Sequence, residues 1–133
     1  MNSEFSDLRT LAEERDPDAF VPGGDAAFAL ADGDFVLSFA VLPGAPGTAV
    51  VRAKVLDLDG IPRAGDFAKA ALAGNFFWGG TRGATLSAGA DGALWATERR
   101  SVAELAAPGA LDACVEDFRL TVRDWRERSA LYV

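Results

Sequence analysis

The sequence predicts a single α+β domain in which an antiparallel, twisted sheet carries helices on one face. Three observations predict it. Short apolar runs separated by Asp-Gly turns read as hairpin-linked strands. Segments with apolar residues three and four apart read as helices before, between and after those runs. Half of the 133 residues are hydrophobic and 25% are charged, a globular composition in a chain about one domain long. Helices kept outside the strand runs, rather than alternating with single strands, indicate α+β.

The elements follow in order. Residues 3–15 form the first expected helix: Ser3 or Ser6 caps it, and Phe5, Leu8, Leu11 and Ala12 recur at helical spacing. Asp16-Pro17 stops it, because proline drives the residue before it out of the α region. A Pro22-Gly23-Gly24 turn leads into DAAFALA (25–31), Asp32-Gly33 and DFVLSFAVL (34–42), a hairpin. PGAPG (43–47) is expected as a loop, and TAVVRAKVLDLD (48–59) as the third strand of a meander. Residues 60–63 connect to a helix over 64–78, AGDFAKAALAGNFFW, with Gly79-Gly80 supplying its C-terminal cap. ATLSAG and ALWATERR then flank an Ala90-Asp91-Gly92 turn, a second hairpin. Residues 101–107 are expected as a connector. Pro108-Gly109 precedes a last helix over 110–130, where Leu111, Val115, Phe118, Val122, Trp125 and Ser129 form one stripe. The predicted order is α-β-β-β-α-β-β-α in one domain spanning 1–133, without an internal repeat or linker.

Charge and composition exclude several function classes. The net charge is −7 and the sequence pI about 4.5. Nucleic acid and anionic membrane both require a basic footprint, so neither is an expected partner. The sequence has no histidine, the commonest metal ligand and general base. Its one cysteine, Cys114, supports neither an internal disulfide nor a cysteine-based zinc site. The opening MNSEFSDLRTLAEERD has early acids and no apolar core, unlike a signal peptide. No stretch reaches the roughly 20 apolar residues of a membrane span. The expectation is a cytoplasmic protein with a reduced thiol.

The glycines and acids suggest chemistry that their context does not support. GGTRG (79–83) is neither a Walker loop nor G-x-G-x-x-G, and it closes a helix rather than opening one, so it reads as a turn. Asp57 and Asp59 lie at a strand end, but LDLDGIP lacks the further acids of a calcium loop. No serine or threonine has a histidine to activate it. The expectation is a protein without catalysis, metal or cofactor.

Apolar surface is the more informative signal. In strand 34–42, Phe35, Leu37, Phe39 and Val41 share a core face, while Val36, Ser38, Ala40 and Leu42 make an uncharged opposite face. Phe28 and Leu30 likewise oppose Ala27, Ala29 and Ala31. Ala49, Val51, Ala53 and Val55 oppose Val50, Arg52, Lys54 and Leu56. A second apolar sheet face needs a cover, either the first helix or a loop of the same chain, or a partner. The helix over 64–78 has only Asp66, Lys69 and Asn75 as polar side chains, so it too calls for cover on more than one side, which a second subunit supplies.

Two stretches carry a family likeness. LAGNFFWGGTRGATLSAGADGALWATERR and LDACVEDFRLTVRDWRERSAL, with the element order, length and acidity, resemble the class I type III secretion chaperones, the CesT/Tir chaperone family. The resemblance spans the whole chain and is best from residue 61 onward. The two prolines in 43–47 depart from it. It implies a homodimer in a bacterial cytoplasm that binds the N-terminal, non-globular segment of a secreted effector without ATP. It implies a dimer interface carried by Phe67, Ala71, Leu72, Phe76, Phe77 and Trp78. It implies effector contacts on the first helix and the first sheet strands, at Leu8, Leu11, Phe28, Leu30, Val36, Leu42, Val51 and Val55. The competing expectation is an adaptor or regulator of the same α+β shape that binds a folded partner.

Overall fold

A computed structural model describes residues 3–77 and 83–133, with the side chains of all of these except Ser3, Phe76 and Phe77. Helix α1 (Ser3–Arg15) is followed by β1 (Phe20–Pro22), β2 (Ala27–Asp32), β3 (Phe35–Leu42) and β4 (Ala45–Asp57). A 3-10 turn at Leu58–Gly60 precedes α2 (Ala64–Phe77), then β5 (Thr85–Ala88), β6 (Ala93–Ser101), a short α3 (Val102–Leu105) and α4 (Ala110–Ser129). The fold is α+β, with an antiparallel six-stranded sheet in the order β1-β2-β3-β4-β6-β5 and helices on one face. Two compact units divide the chain: Met1–Arg52 with Arg99–Glu116, and Ala53–Glu98 with Asp117–Val133.

The first unit is built around a ladder of rings. Alternation along β2 and β3 sends Phe28, Leu30, Phe35, Leu37 and Phe39 into the interior. Phe28 sits directly opposite Phe39, and the two rings stack with centroids 4.7 Å apart. Helix α1 lays Phe5, Leu8 and Ala12 on this face, with the Phe5 ring 5.5 Å from Phe28. The register pairs Asp32 with Phe35, so the β2–β3 hairpin closes in two residues, and Gly33 takes the positive φ (64°) that such a turn requires.

The second unit packs α2 against the C-terminal part of α4. The Phe67 ring meets Trp125 edge-on at 6.0 Å and Tyr132 at 5.3 Å. Gly74 makes the close approach possible, since a Cβ there would lie 2.6 Å from the Trp125 ring. The Arg126 Nε–H donates to the Val55 carbonyl at 2.6 Å. Asn75 joins α2 to the outer strand β5: its amide donates to the Leu86 carbonyl at 2.7 Å and accepts from the Leu86 N–H at 2.6 Å.

Four elements differ from expectation. Residues 20–22 form a strand where the sequence suggested only a turn. Phe20 stacks on Phe28 at 5.7 Å, and β1 is outermost, where a proline without an N–H is tolerated. The expected five-residue loop 43–47 contracts to Pro43-Gly44, because proline presets its own φ and Gly44 takes a φ of 82°. Strand β4 ends at Asp57, not 59, where the chain winds into the 3-10 turn and the Leu58 N–H donates to the Gly92 carbonyl at 2.9 Å. The expected connector 101–107 contains α3, capped by the Ser101 hydroxyl, which accepts from the Glu104 N–H at 3.3 Å. The expected Gly79-Gly80 cap and most of GGTRG lie outside the described residues.

Candidate partner-binding surface

Helix α1 presents two faces. Phe5, Leu8 and Ala12 are buried, so the i, i+3, i+4 stripe is used up within its unit. Its other side lines two cavities. One, of about 650 Å³, is walled by Ser6, Arg9, Thr10 and Glu13 from α1, Phe20 from β1, Asp25 and Ala26 before β2, Val41 from β3 and Pro46 from β4. The other, of about 330 Å³, lies between Leu11 and Arg15 of α1 and residues 106–112. An Arg15–Asp112 ion pair rims it, and Leu11 is 38% exposed.

Arg9 is the unusual group of the larger cavity. Its guanidinium carbon lies 5.6 Å from the centroid of the Phe20 ring, a cation–π arrangement. Its Nε is buried and has no hydrogen-bond partner among the described residues. An atom so covered is out of reach of anything that enters the cavity, and its missing bond is a local cost to the fold. Neither Arg9 nor Phe20 was among the expected contacts. A hint was present in Phe20-Val21-Pro22, an aromatic and a β-branched residue ahead of a proline, which is an edge-strand pattern.

The expected effector contacts divide by burial. Leu8, Phe28, Leu30, Val51 and Val55 are 0–3% exposed. Their apolar surface is already covered inside the chain, which corrects the expectation that they offer it to a guest. The alternation explains this: all four strand residues belong to the core-facing rows. Leu11, Val36 (43% exposed) and the half-buried Leu42 are the three that reach the surface. Val36 and Leu42 share the open face of β3 with Ser38 and Ala40.

The expected dimer residues also divide. Phe67 and Ala71 are buried within the second unit, Phe67 against Trp125 of α4. Leu72 is 61% exposed and Ala73 beside it is exposed, so α2 keeps an uncovered apolar side. The side chains of Phe76 and Phe77, and all of Trp78, lie outside the described residues.

The titratable groups hold little chemistry. At the β5–β6 turn, Asp91 accepts from the Ala93 N–H at 3.1 Å and from the Trp95 indole at 3.3 Å, and these bonds hold its carboxyl below the usual range. Lys54 pairs with Asp57 at 2.6 Å, a hydrogen bond that raises its ammonium above the usual value. Cys114 is buried on α4. Among the described residues no group of three or more acids, cysteines or histidines is placed to hold a metal ion. No helix of the described residues is long and apolar enough to cross a membrane.

No family model matches the sequence, and no curated protein is significantly similar to it. Solved structures are similar along the whole length. A chain of the HopA1–SchA chaperone–effector complex aligns over 92% of this chain and 97% of its own, with a TM-score of 0.65 and 18% identity. A chain of the ExsC–ExsE complex aligns over 96% and 94%, with a TM-score of 0.72 and 14% identity. The Yersinia pestis type III secretion chaperone SycH, solved with a stable fragment of YscM2, aligns over 98% and 99%, with a TM-score of 0.53 and 11% identity. From one end to the other, the chain therefore has a class I type III secretion chaperone-like fold.

Proposed function

We propose that this protein is a cytoplasmic type III secretion chaperone that binds the N-terminal, non-globular segment of a secreted effector. It keeps that segment unfolded and soluble and delivers it for export, with neither catalysis nor ATP. The observation that carries this reading is the end-to-end likeness to a chain of a chaperone–effector complex and to a type III secretion chaperone solved with a fragment of YscM2. The surface supports it. Two cavities flank α1, and the uncharged side of β3 leaves Val36 and Leu42 accessible. A disordered segment can wrap such a dispersed surface, and burying about 1,000–3,000 Å² offsets the entropy of ordering it. We further assign a homodimer built on the uncovered side of α2, where Leu72 supplies apolar area for an isologous contact.

The test is co-purification. The tagged protein, expressed in its host, is predicted to retain a secreted protein whose N-terminal stretch alone survives limited proteolysis of the complex. Val36→Asp is predicted to leave the chain folded, because the site is exposed, and to lower the recovered guest severalfold. Unchanged recovery with that variant removes the open β3 face from the binding surface. A compact protected domain in place of an extended stretch favours the adaptor reading.

A further inference from the structure

The two outer strands of the sheet, β1 and β5, have their outward backbone groups spent in different ways. At β1 the Ala31 N–H donates to the Ala19 carbonyl at 2.9 Å, and the register places Val21 opposite Ala29. Antiparallel pairing alternates, so Ala19 and Val21 turn their backbone groups toward β2, and Phe20 and Pro22 turn theirs outward. The Phe20 N–H already donates to the Asp16 carbonyl at 3.2 Å, and proline has no N–H. Across Phe20–Pro22 the outward edge therefore offers acceptors and no donor, although Val21 beside it is 45% exposed. At β5 the outward N–H and carbonyl of Leu86 are both held by Asn75. An ordinary outer strand presents unpaired donors and acceptors in turn, and so templates the pairing of another chain.

We infer that the sheet is built to exclude a further strand from a second copy of this chain, at β1 through Pro22 and the Asp16 carbonyl, and at β5 through Asn75. Two copies related by a two-fold axis at Val21 would set Phe20 of one opposite Pro22 of the other. Neither residue has a free N–H to give, so the pair would desolvate carbonyls without bonding them, which is unfavourable. The same arrangement about Ser87 would set Leu86 opposite Ala88, and Asn75 would first have to be displaced. Pairing at both ends of the sheet would join copies into an open-ended array. With both ends closed, association between copies is left to side-chain contacts that can close on themselves. The inference does not depend on the chaperone reading.

The test reads edge pairing as disulfide formation between copies of the full-length protein, whose own Cys114 is buried. In the two-fold arrangement the residues at position 21 face each other as a non-hydrogen-bonded pair. Their Cα atoms are then about 4.5 Å apart, within disulfide range. Val21→Cys is compared alone and combined with Pro22→Val. Valine suits an edge strand and supplies the missing donor, so the fold is expected to be kept, which thermal unfolding checks. Adding Pro22→Val is expected to speed oxidative crosslinking at least about tenfold, since the two-fold pair gains two hydrogen bonds. Ser87→Cys is expected to respond in the same direction when Asn75→Ala is added, because Leu86 is released. Crosslinking of Val21→Cys that is equally fast with and without Pro22→Val overturns the inference. So does equal speed of Ser87→Cys with and without Asn75→Ala in a chain that stays folded; if that chain unfolds, the β1 comparison decides alone. Either failure leaves the chaperone reading intact.

Discussion

Asn75 interrupts an otherwise apolar stretch of α2, and its role lies eleven residues away. Its amide takes both the N–H and the carbonyl of Leu86, as a neighbouring strand would. Leu86 faces Ala96 in the β5–β6 ladder, so the bonds to Asn75 use groups that point away from β6. The outermost strand thus has part of its free edge closed by one side chain. Asn75→Ala is predicted to destabilise the fold by about 1–3 kcal/mol, because two strand groups lose their partners. A urea midpoint unchanged from the wild type would show that solvent satisfies them instead. Asp91 gives a pH signature. Its carboxyl is held low, chiefly by the Ala93 N–H and then by Trp95. A group with a depressed folded pKa stabilises above its unfolded value, about 3.9, and that contribution is lost as the pH falls through the folded value. Asp91→Asn is therefore predicted to flatten the acid limb of thermal stability below about pH 4. An acid limb identical to the wild type would contradict this. The sequence displayed Asn75 only as a polar break and Arg9 only as a charge on a helix. Their partners, Leu86 and Phe20, belong to other elements, and local periodicity carries no information about such pairs.

At the scale of elements, legibility followed length and turn signals. Helices α1 and α4 and the β5–β6 hairpin stood out because apolar spacing or an Asp-Gly turn defined them, α2 because alanines fill it and no proline interrupts it, and the Leu111-to-Trp125 stripe is buried as expected. Short elements did not. Strand β1 has three residues and α3 has four, too few for a period to repeat. Yet α3 carried a local signature: Ser101-Val102-Ala103-Glu104 has the S-x-x-E form of a capping box, and the Ser101 hydroxyl does accept from the Glu104 N–H. Ser101→Ala is predicted to destabilise by about 0.5–2 kcal/mol. Hydrogen exchange should then rise first in Val102–Leu105, which pack Val102 and Leu105 into the first unit's core. Uniform exchange across that unit would argue against a local capping role. The binding residues were legible only in part for a related reason. Strand alternation names two faces but does not say which one the helices take. Val36 and Leu42 proved to lie on the open side, and Phe28, Leu30, Val51 and Val55 on the covered one.

For the whole molecule, the central matter is how an acidic chain manages apolar surface that it does not bury alone. Leu72 remains 61% exposed and Val36 43% exposed. We assign the first to a twin subunit and the second to an unfolded guest. Leu72→Asp is predicted to convert the protein to monomers or aggregates in light scattering, because it puts an unpaired charge into an apolar seam. A dimer of unchanged mass would remove α2 from the interface. The likeness of fold persists where identity does not: structures at 11–18% identity still align over more than nine-tenths of the chain. The guest's identity was not legible, because a surface of scattered apolar side chains fits a chemistry rather than one sequence. The most direct test of the account is hydrogen exchange of the co-purified guest, free and bound. The account predicts protection gained in one contiguous N-terminal segment, with that segment exchanging as an unfolded chain when free. Protection spread over a guest domain that is already folded when free would contradict it.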